Sequence, residues 1–482
     1  MYKNGNIIIG KNESSEAILL LNKANRHGLI TGSSGSGKTI TLKVLAESFS
    51  EAGVPVFLSD VKGDLAGTIN EGIINENIKS RLDNLNISDF ETKKYPVTFL
   101  DVYGENGCNV RTTVKSIGAK LLARMLNLTD AQEGVLAITF KIAEDEGFEL
   151  IDLNDLKATL TYIGEKRKEY SLTYGNITLQ SIGSIQRNIL SLQTEGGDFF
   201  FGLPAFNLKD LIHFDVNTGY ANINIFDAQK LFQKPTLYAT FMLWMLTSLY
   251  NEFPEVGDLN KPKLVCFFDE SHLIFDSMPE HLIKQIIQIV KLIRSKGIGL
   301  YFISQSPKDI PDEILAQLGN RIQHVLRSYT PSEEKVLKAA ADSFRKNPNF
   351  DTEEVISTLK TGEALISLQN EDGEPIVVEK YTILPPQSMI GAIEDTERSN
   401  FIKTTWLYGK YDEKLQYTST YEILTTKLNK ENEEPLKKTA TKKTTAKAKK
   451  STMEKATERM ITNTASSFGR KLGNSLFKNL FK

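Results

Sequence analysis

The sequence has few cysteines and no long run of apolar residues. Its 482 residues include only Cys108 and Cys266, too few for a disulfide framework and without the spacing of a metal site. No apolar stretch approaches the length of a membrane span, and the N-terminus lacks the pattern of a signal peptide. These absences predict a protein with no integral membrane segment that works in a reducing cytoplasm.

A strongly basic composition, typical of proteins that coat nucleic acid, is also missing. The formal net charge is -2, with 58 Lys and Arg against 60 Asp and Glu. The charge is unevenly distributed, because residues 435–482 carry a net of +11, which leaves -13 for residues 1–434. Any contact with nucleic acid must therefore come from this basic tail or from a local patch within an assembly.

The most specific motif is a glycine-rich stretch near the N-terminus, Gly32-Ser33-Ser34-Gly35-Ser36-Gly37-Lys38-Thr39. It fits G-x-x-x-x-G-K-[ST], the phosphate-binding loop of P-loop NTPases, and lies between a predicted strand and a predicted helix. A turn in this position directs backbone N–H groups at a polyphosphate. We therefore expect residues Gly32 through Ile40 to bind a nucleoside triphosphate, with Lys38 on the β- and γ-phosphates and Thr39 on Mg²⁺.

A second motif is the wholly apolar strand Leu264–Phe268, which is followed by two acidic residues. Acidic strand ends are common, but together with a P-loop this pattern is typical of Walker B. It predicts that Asp269 holds Mg²⁺ through water and that Glu270 is the general base that polarises the attacking water. Together the two motifs predict an NTP hydrolase.

Strand and helix signals alternate along most of the chain, which predicts an α/β fold with a mainly parallel sheet. Late apolar runs at 321–327, 364–368 and 376–383 predict further strands near one edge of the sheet. The predicted domains comprise a core in two parts with a helical insertion and C-terminal additions: 1–111 (first core part), 112–200 (helical insertion), 201–393 (second core part), 394–434 (extension) and 435–482 (basic linker and amphipathic tail).

The two motifs and three further segments resemble the HerA-like ATPases, in the HerA/FtsK branch of the RecA-like P-loop superfamily. The further segments are Asp60-x-Lys62-Gly63-Asp64-Leu65, Arg294-x-x-Gly297-Ile298-Gly299-Leu300 and Ile303-Ser304-Gln305-x-Pro307. The resemblance is greatest to a bacterial subgroup that consists mainly of the ATPase core. It implies a RecA-like fold, ATP and Mg²⁺ as cofactors, a homo-hexameric ring and movement along DNA.

The resemblance also implies roles for two polar residues. Gln305 resembles the sensor that reads the γ-phosphate from a neighbouring strand tip, although an exposed polar strand end would look the same. Arg294 resembles an arginine finger that enters the next subunit's site, although a helix C-terminus also favours a cation. Asp60 and Asp64 could orient water or metal, or could serve the turn around Gly63.

Two classes of function remain open at this stage. One is a DNA translocase or helicase, with a nuclease or other effector protein as a possible partner. The other is a P-loop ATPase that remodels protein, or acts with a membrane or defence-system partner, without moving along DNA. The tail at 435–482 is compatible with a DNA-engaging arm, a membrane-surface helix, a docking helix or a solubilising segment.

Overall fold

A 13-stranded sheet organises the part of the chain that the computed structural model describes, residues 1–428 without 258, 277–279, 414 and 416. The tail at 435–482, and with it the choice among its predicted roles, lies outside these residues. The strands of the sheet are β1 (Tyr2–Lys3), β2 (Asn6–Lys11), β3 (Glu16–Leu19), β4 (Gly28–Thr31), β5 (Val56–Asp60), β6 (Val97–Asp101), β7 (Cys108–Asn109), β8 (Ile223–Asp227), β9 (Leu264–Phe268), β10 (Ile298–Ser304), β11 (Asn320–Gln323), β12 (Glu363–Ser367) and β13 (Glu379–Ile383).

The helices lie between and after these strands along the chain. They are α1 (Lys38–Glu51), α2 (Glu76–Asn84), α3 (Val114–Met125), α4 (Asp130–Glu146), α5 (Leu153–Glu165), α6 (Arg167–Tyr174), α7 (Leu179–Thr194), α8 (Gly197–Phe200), α9 (Pro235–Glu252), α10 (His272–Asp276), α11 (Glu280–Ile293), α12 (Asp312–Leu315), α13 (Pro331–Asp342), α14 (Thr352–Thr358) and α15 (Asp395–Ile402). Short 3-10 helices lie at Leu21–Arg26, Ala66–Ile69, Leu208–Leu211, Leu231–Gln233, Arg294–Lys296 and Pro307–Asp309.

The sheet is parallel over most of its width. Its parallel part has the order β11, β4, β10, β9, β5, β8, β6, β7. Beyond β11 it continues antiparallel through β12, β13, β2 and β1, with β3 also paired to β2. The predicted α/β fold with a mainly parallel sheet is confirmed. The position of β11 differs from the expectation, because β12, β13 and β2 extend the sheet and leave β11 beside β4 in its interior.

The helix that follows the P-loop packs its apolar side on the sheet. On α1 the buried residues Leu42, Leu45 and Phe49 belong to the main hydrophobic core. The Phe49 ring lies 6.2 Å from that of Phe267 on β9 and 6.1 Å from that of Tyr301 on β10, measured between centroids. Helix α1 therefore packs on β9, which precedes the Walker B residues, and on its neighbour β10.

Residues 112–200, expected to form a helical insertion, contain α3 through α8. Helix α3 contacts α9 and α11, and it is interrupted at Gly118, whose φ of 76° lies outside the helical range. Helix α9 is apolar on nearly every side because it is enclosed by these helices and the sheet, where Phe241 stacks 4.1 Å from Phe226 of β8. Within the described residues, no helix combines the length and the apolar character needed to cross a bilayer.

Candidate nucleotide site

The P-loop turns tightly between β4 and α1 on backbone conformations that suit glycine. Gly32, Gly35 and Gly37 have φ values of 152°, 73° and 111°, in the left-handed region that L side chains rarely adopt. Lys38 folds back over the turn, and its Nζ donates to the carbonyls of Gly32 at 2.6 Å and Ser33 at 3.0 Å. The cradle therefore places a lysine ammonium at the N-terminus of a helix, as polyphosphate binding requires.

A buried histidine, His324, packs against the first glycine of the P-loop and the first turn of α1. His324 follows β11, and its Nδ1 donates to the carbonyl of Glu363 at 3.0 Å. Its Nε2 is then the acceptor for the Thr41 hydroxyl at 2.9 Å, because a carbonyl can only accept. Burial lowers the pKa of His324 to about 4, so the ring is neutral near pH 7. A Cβ on Gly32 would lie 2.5 Å from the His324 Cβ, so this contact requires glycine.

Three polar residues four positions apart share one face of α1, namely Thr39, Lys43 and Glu47. Burial raises the pKa of Asp64, which the neighbouring Thr39 hydroxyl partly offsets, and burial lowers the pKa of Lys43 to about 8. The Glu47 carboxylate accepts from the backbone N–H of Gln387 at 2.7 Å and from the Ser388 hydroxyl at 2.5 Å. Through Glu47, α1 is therefore tied to a segment that follows β13.

The Walker B residues lie at the carboxyl end of β9. Asp269 and Glu270 are both buried, and Glu270 has a left-handed backbone with φ of 46°, which is uncommon outside glycine. One Glu270 oxygen pairs with Lys62 Nζ at 2.6 Å, and the other lies 3.4 Å from His272 Nδ1. Burial opposes ionisation of Glu270, but the hydrogen-bonded Lys62 outweighs it and sets the pKa of Glu270 below its ordinary value.

Aspartates end the neighbouring strands β5, β8 and β6, and Asp269 directly follows the adjacent β9. Asp60 accepts from the N–H groups of Lys62, Gly63 and Leu65, and Asp101 at the end of β6 likewise accepts from three N–H groups. These carboxylates shape turns, which favours the turn interpretation of Asp60 over a role on metal.

Asp269 is different, because the hydrogen bond described for its carboxylate comes from the adjacent Glu270 N–H at 2.9 Å. Burial raises the pKa of Asp269 to about 7, so a cation near the carboxylate would favour its charged form. In the described part of the chain, no group of three or more His, Cys, Asp or Glu side chains is arranged to hold a metal ion. Asp269 with Thr39 fits Mg²⁺ instead, since Mg²⁺ takes few protein ligands and completes its shell with phosphate and water.

The structure brings one of the two remaining predicted residues to the P-loop edge of the sheet. Gln305 directly follows Ser304, which pairs with Thr31 of β4, so it lies beside the start of the P-loop. Arg294 precedes β10 and lies at the opposite end of that strand, roughly 20 Å away by the rise of an extended chain. Arg294 therefore cannot serve the nucleotide site of its own chain.

Two residues of this site were given no role by sequence reasoning. Lys62 stood inside a recognised segment, and its position between Asp60 and Asp64 was the available signal. His324 had no local signal, because its partner Thr41 is 283 positions away in the sequence. Both act through contacts that only the sheet order creates.

Comparison with known proteins gives relatives that cover most of the chain. The model of the family described as "Helicase HerA-like C-terminal" matches residues 6–481. The DNA double-strand break repair helicase HerA of Sulfurisphaera tokodaii is 25% identical over 380 residues, which are 76% of this chain and 67% of that protein. The protein of the same name from Sulfolobus acidocaldarius is 24% identical over 378 residues, with the same two shares.

A solved structure shares the fold. The plasmid coupling protein TrwB in complex with the GTP analogue GDPNP superposes with a TM-score of 0.53, over 80% of this chain and 90% of that one. At 12% sequence identity this likeness concerns the architecture alone. The family match, however, extends over nearly the whole sequence and includes both nucleotide-binding motifs. The chain therefore belongs to the helicase HerA-like C-terminal family and is a RecA-like P-loop ATPase.

Proposed function

We propose that this chain is a subunit of an ATP-driven ring motor that acts on DNA, as a HerA-like translocase or helicase. The observation that carries the proposal is the meeting of Lys38, Thr39, Asp269 and Glu270 at one edge of the sheet. β4 and β9 both pair in parallel with β10, so the residues that follow these two strands lie at the same edge of the sheet. DNA as the substrate is supported by the matched relatives, which are named DNA double-strand break repair helicases.

The residues divide the work of hydrolysis in this proposal. The P-loop N–H groups and Lys38 bind the phosphates of ATP and offset their charge. Mg²⁺ held by Thr39 and, through water, by Asp269 would supply further neutralisation of the β- and γ-phosphate oxygens. Glu270 accepts a proton from water as the water oxygen bonds to the γ-phosphorus and the bond to the β-phosphate oxygen breaks. Gln305, on the strand tip beside the P-loop, reads the presence of the γ-phosphate.

DNA should accelerate hydrolysis if the motor acts on it. We expect the ATP turnover rate of the full chain to rise severalfold with double-stranded or single-stranded DNA, because a translocase couples hydrolysis to its track. The measurement compares phosphate release without nucleic acid and with each DNA, and the Glu270→Gln chain controls for contaminating ATPases. A rate that no DNA changes, together with no DNA binding at low salt, would favour the alternative of a protein-remodelling ATPase with a membrane or defence-system partner.

Arg294 should complete the nucleotide site of a neighbouring subunit, because in its own subunit it lies at the end of β10 opposite to the nucleotide site. We expect Arg294→Ala and Glu270→Gln chains to be nearly inactive when assayed separately. Mixing them in equal amounts should restore activity at about a quarter of the interfaces, where an intact Glu270 meets an intact Arg294. The measurement is phosphate release against mixing ratio, with the exposed Lys291→Ala as the matched control.

A mixture that is no more active than its components would contradict the proposed role of Arg294 in the site of a neighbouring subunit. A monomer that hydrolyses ATP at the full rate would remove the ring itself. Particle mass, measured with and without ATP, distinguishes these two outcomes and reports the number of subunits, for which six is expected.

A further inference from the structure

The loop after β5 holds a lysine in a fixed position at the nucleotide site. Its backbone is tied to the Asp60 carboxylate, which accepts from the N–H groups of Lys62 at 3.1 Å and Gly63 at 2.7 Å. Gly63 has φ of 78°, and a Cβ there would lie 2.5 Å from the Gln229 Nε2 atom. Gln229 is held in turn by Asp227 at the end of β8. The neighbouring strand therefore supports the Lys62 loop.

From this loop Lys62 reaches across to the end of β9. Its Nζ lies 2.6 Å from a Glu270 oxygen, and 45% of the Lys62 side chain is exposed against 9% for that of Glu270. A buried carboxylate that lost its partner would be costly, whereas the half-exposed lysine can stay solvated. Glu270 therefore depends on Lys62 more than Lys62 depends on Glu270.

Glu270 needs such a partner because its backbone conformation does not by itself fix the position of its carboxylate. Its φ of 46° takes it off the direction of β9, and among the described residues its other oxygen is approached by His272 Nδ1 at the longer distance of 3.4 Å. A carboxylate that acts on water must be held within a fraction of an ångström, since small displacements of reacting groups cost large factors in rate. Lys62 makes the short contact that fixes it.

We propose that Lys62 is a positioning residue for hydrolysis, which holds the Glu270 carboxylate in place beside the phosphate site formed by Lys38. This inference rests on the proposed function in one respect, the role of Glu270 as the general base. A competing role, in which Lys62 binds the phosphates directly, predicts a different result. Loss of a phosphate ligand weakens ATP binding, whereas loss of a positioning residue lowers turnover and leaves binding intact.

The test compares Lys62→Met, which keeps the aliphatic stem without the charge, with Lys62→Arg, which restores a cation. We expect Lys62→Met to lower kcat roughly tenfold to a hundredfold with KM for ATP and the Kd of an ATP analogue changed less than about twofold. Lys62→Arg should recover most of kcat. The exposed Lys79→Met on α2 is the matched control and should behave as wild type.

A double variant decides whether Lys62 acts through Glu270. In the Glu270→Gln background, Lys62→Met should cause no further loss of turnover, because residues that act as a unit are not additive. A further loss of turnover of similar size in the double variant would overturn the inference. A raised Kd for the ATP analogue or an unchanged kcat in Lys62→Met would also overturn it. If Lys62→Met lowers Tm, Lys62→Gln gives the same comparison. A fully active Glu270→Gln chain would instead overturn the proposed function itself.

Discussion

Replacing Glu270 with glutamine is expected to lower ATP turnover by roughly a hundredfold or more while ATP remains bound. Glutamine keeps the size of the side chain but cannot accept a proton, and the phosphate contacts of the P-loop do not involve it. The measurement pairs single-turnover hydrolysis with the Kd of a fluorescent ATP analogue. Turnover at the wild-type rate would contradict the Walker B interpretation of Asp269 and Glu270.

The matched control for this change is Glu313→Gln, which makes the same substitution at an exposed position on α12. The Glu270 variant also loses its charge toward Lys62, so its Tm must be compared with that of wild type. An unchanged Tm with lost turnover separates the chemical role of Glu270 from a structural one.

Replacing Lys38 with alanine is expected to have an equally large effect by a different route. Its ammonium, now on the carbonyls of Gly32 and Ser33, is the cation that the P-loop offers to phosphate. This contact exists in the ground state and in the transition state, so both affinity and turnover should fall. We expect the Kd of the ATP analogue to rise roughly a hundredfold, since a charge-assisted contact contributes up to about 3 kcal/mol.

Lys335→Ala, at an exposed position on α13, is the control for Lys38→Ala. If Lys38→Ala kept its affinity for ATP and lost only turnover, the lysine would act in the transition state alone. If it kept both, the glycine-rich turn would not be the nucleotide site.

The parallel core could be predicted because its strands are buried on both faces. β9 reads as an uninterrupted apolar run and β10 as one up to its last residue, Ser304, and every residue in both is buried. The strands that escaped prediction are short or polar. β7 has two residues, and β3 has the sequence EAIL with its first residue exposed. The sequence also could not indicate that β2 pairs with β13, because this pairing joins residues about 370 positions apart.

Sequence reasoning could identify the candidate site only where its functional residues are consecutive in the chain. Lys38 and Thr39, or Asp269 and Glu270, carry their signal in the local motif, and their roles stay predictions until the variants are measured. Asp60 allowed two interpretations until its three backbone hydrogen bonds were visible. Lys62 lies in a recognised segment, but its partner Glu270 is distant in the sequence, so the segment did not indicate its role. His324 had no local signal at all, since its partner Thr41 is likewise distant.

The position of β10 also bears on how the protein is made. β4 precedes the P-loop, and β9 precedes the Walker B residues. These two strands do not pair with each other, because β10 lies between them and pairs with both. A ribosome releases β4 first and β10 last of the three, after about 270 further residues, which takes roughly 15 to 55 s at ordinary translation speed. Until then Phe49 of α1 lacks its ring partner Tyr301 on β10. A nascent chain that ends before residue 298 thus contains both motifs and still lacks the strand that joins them into one site.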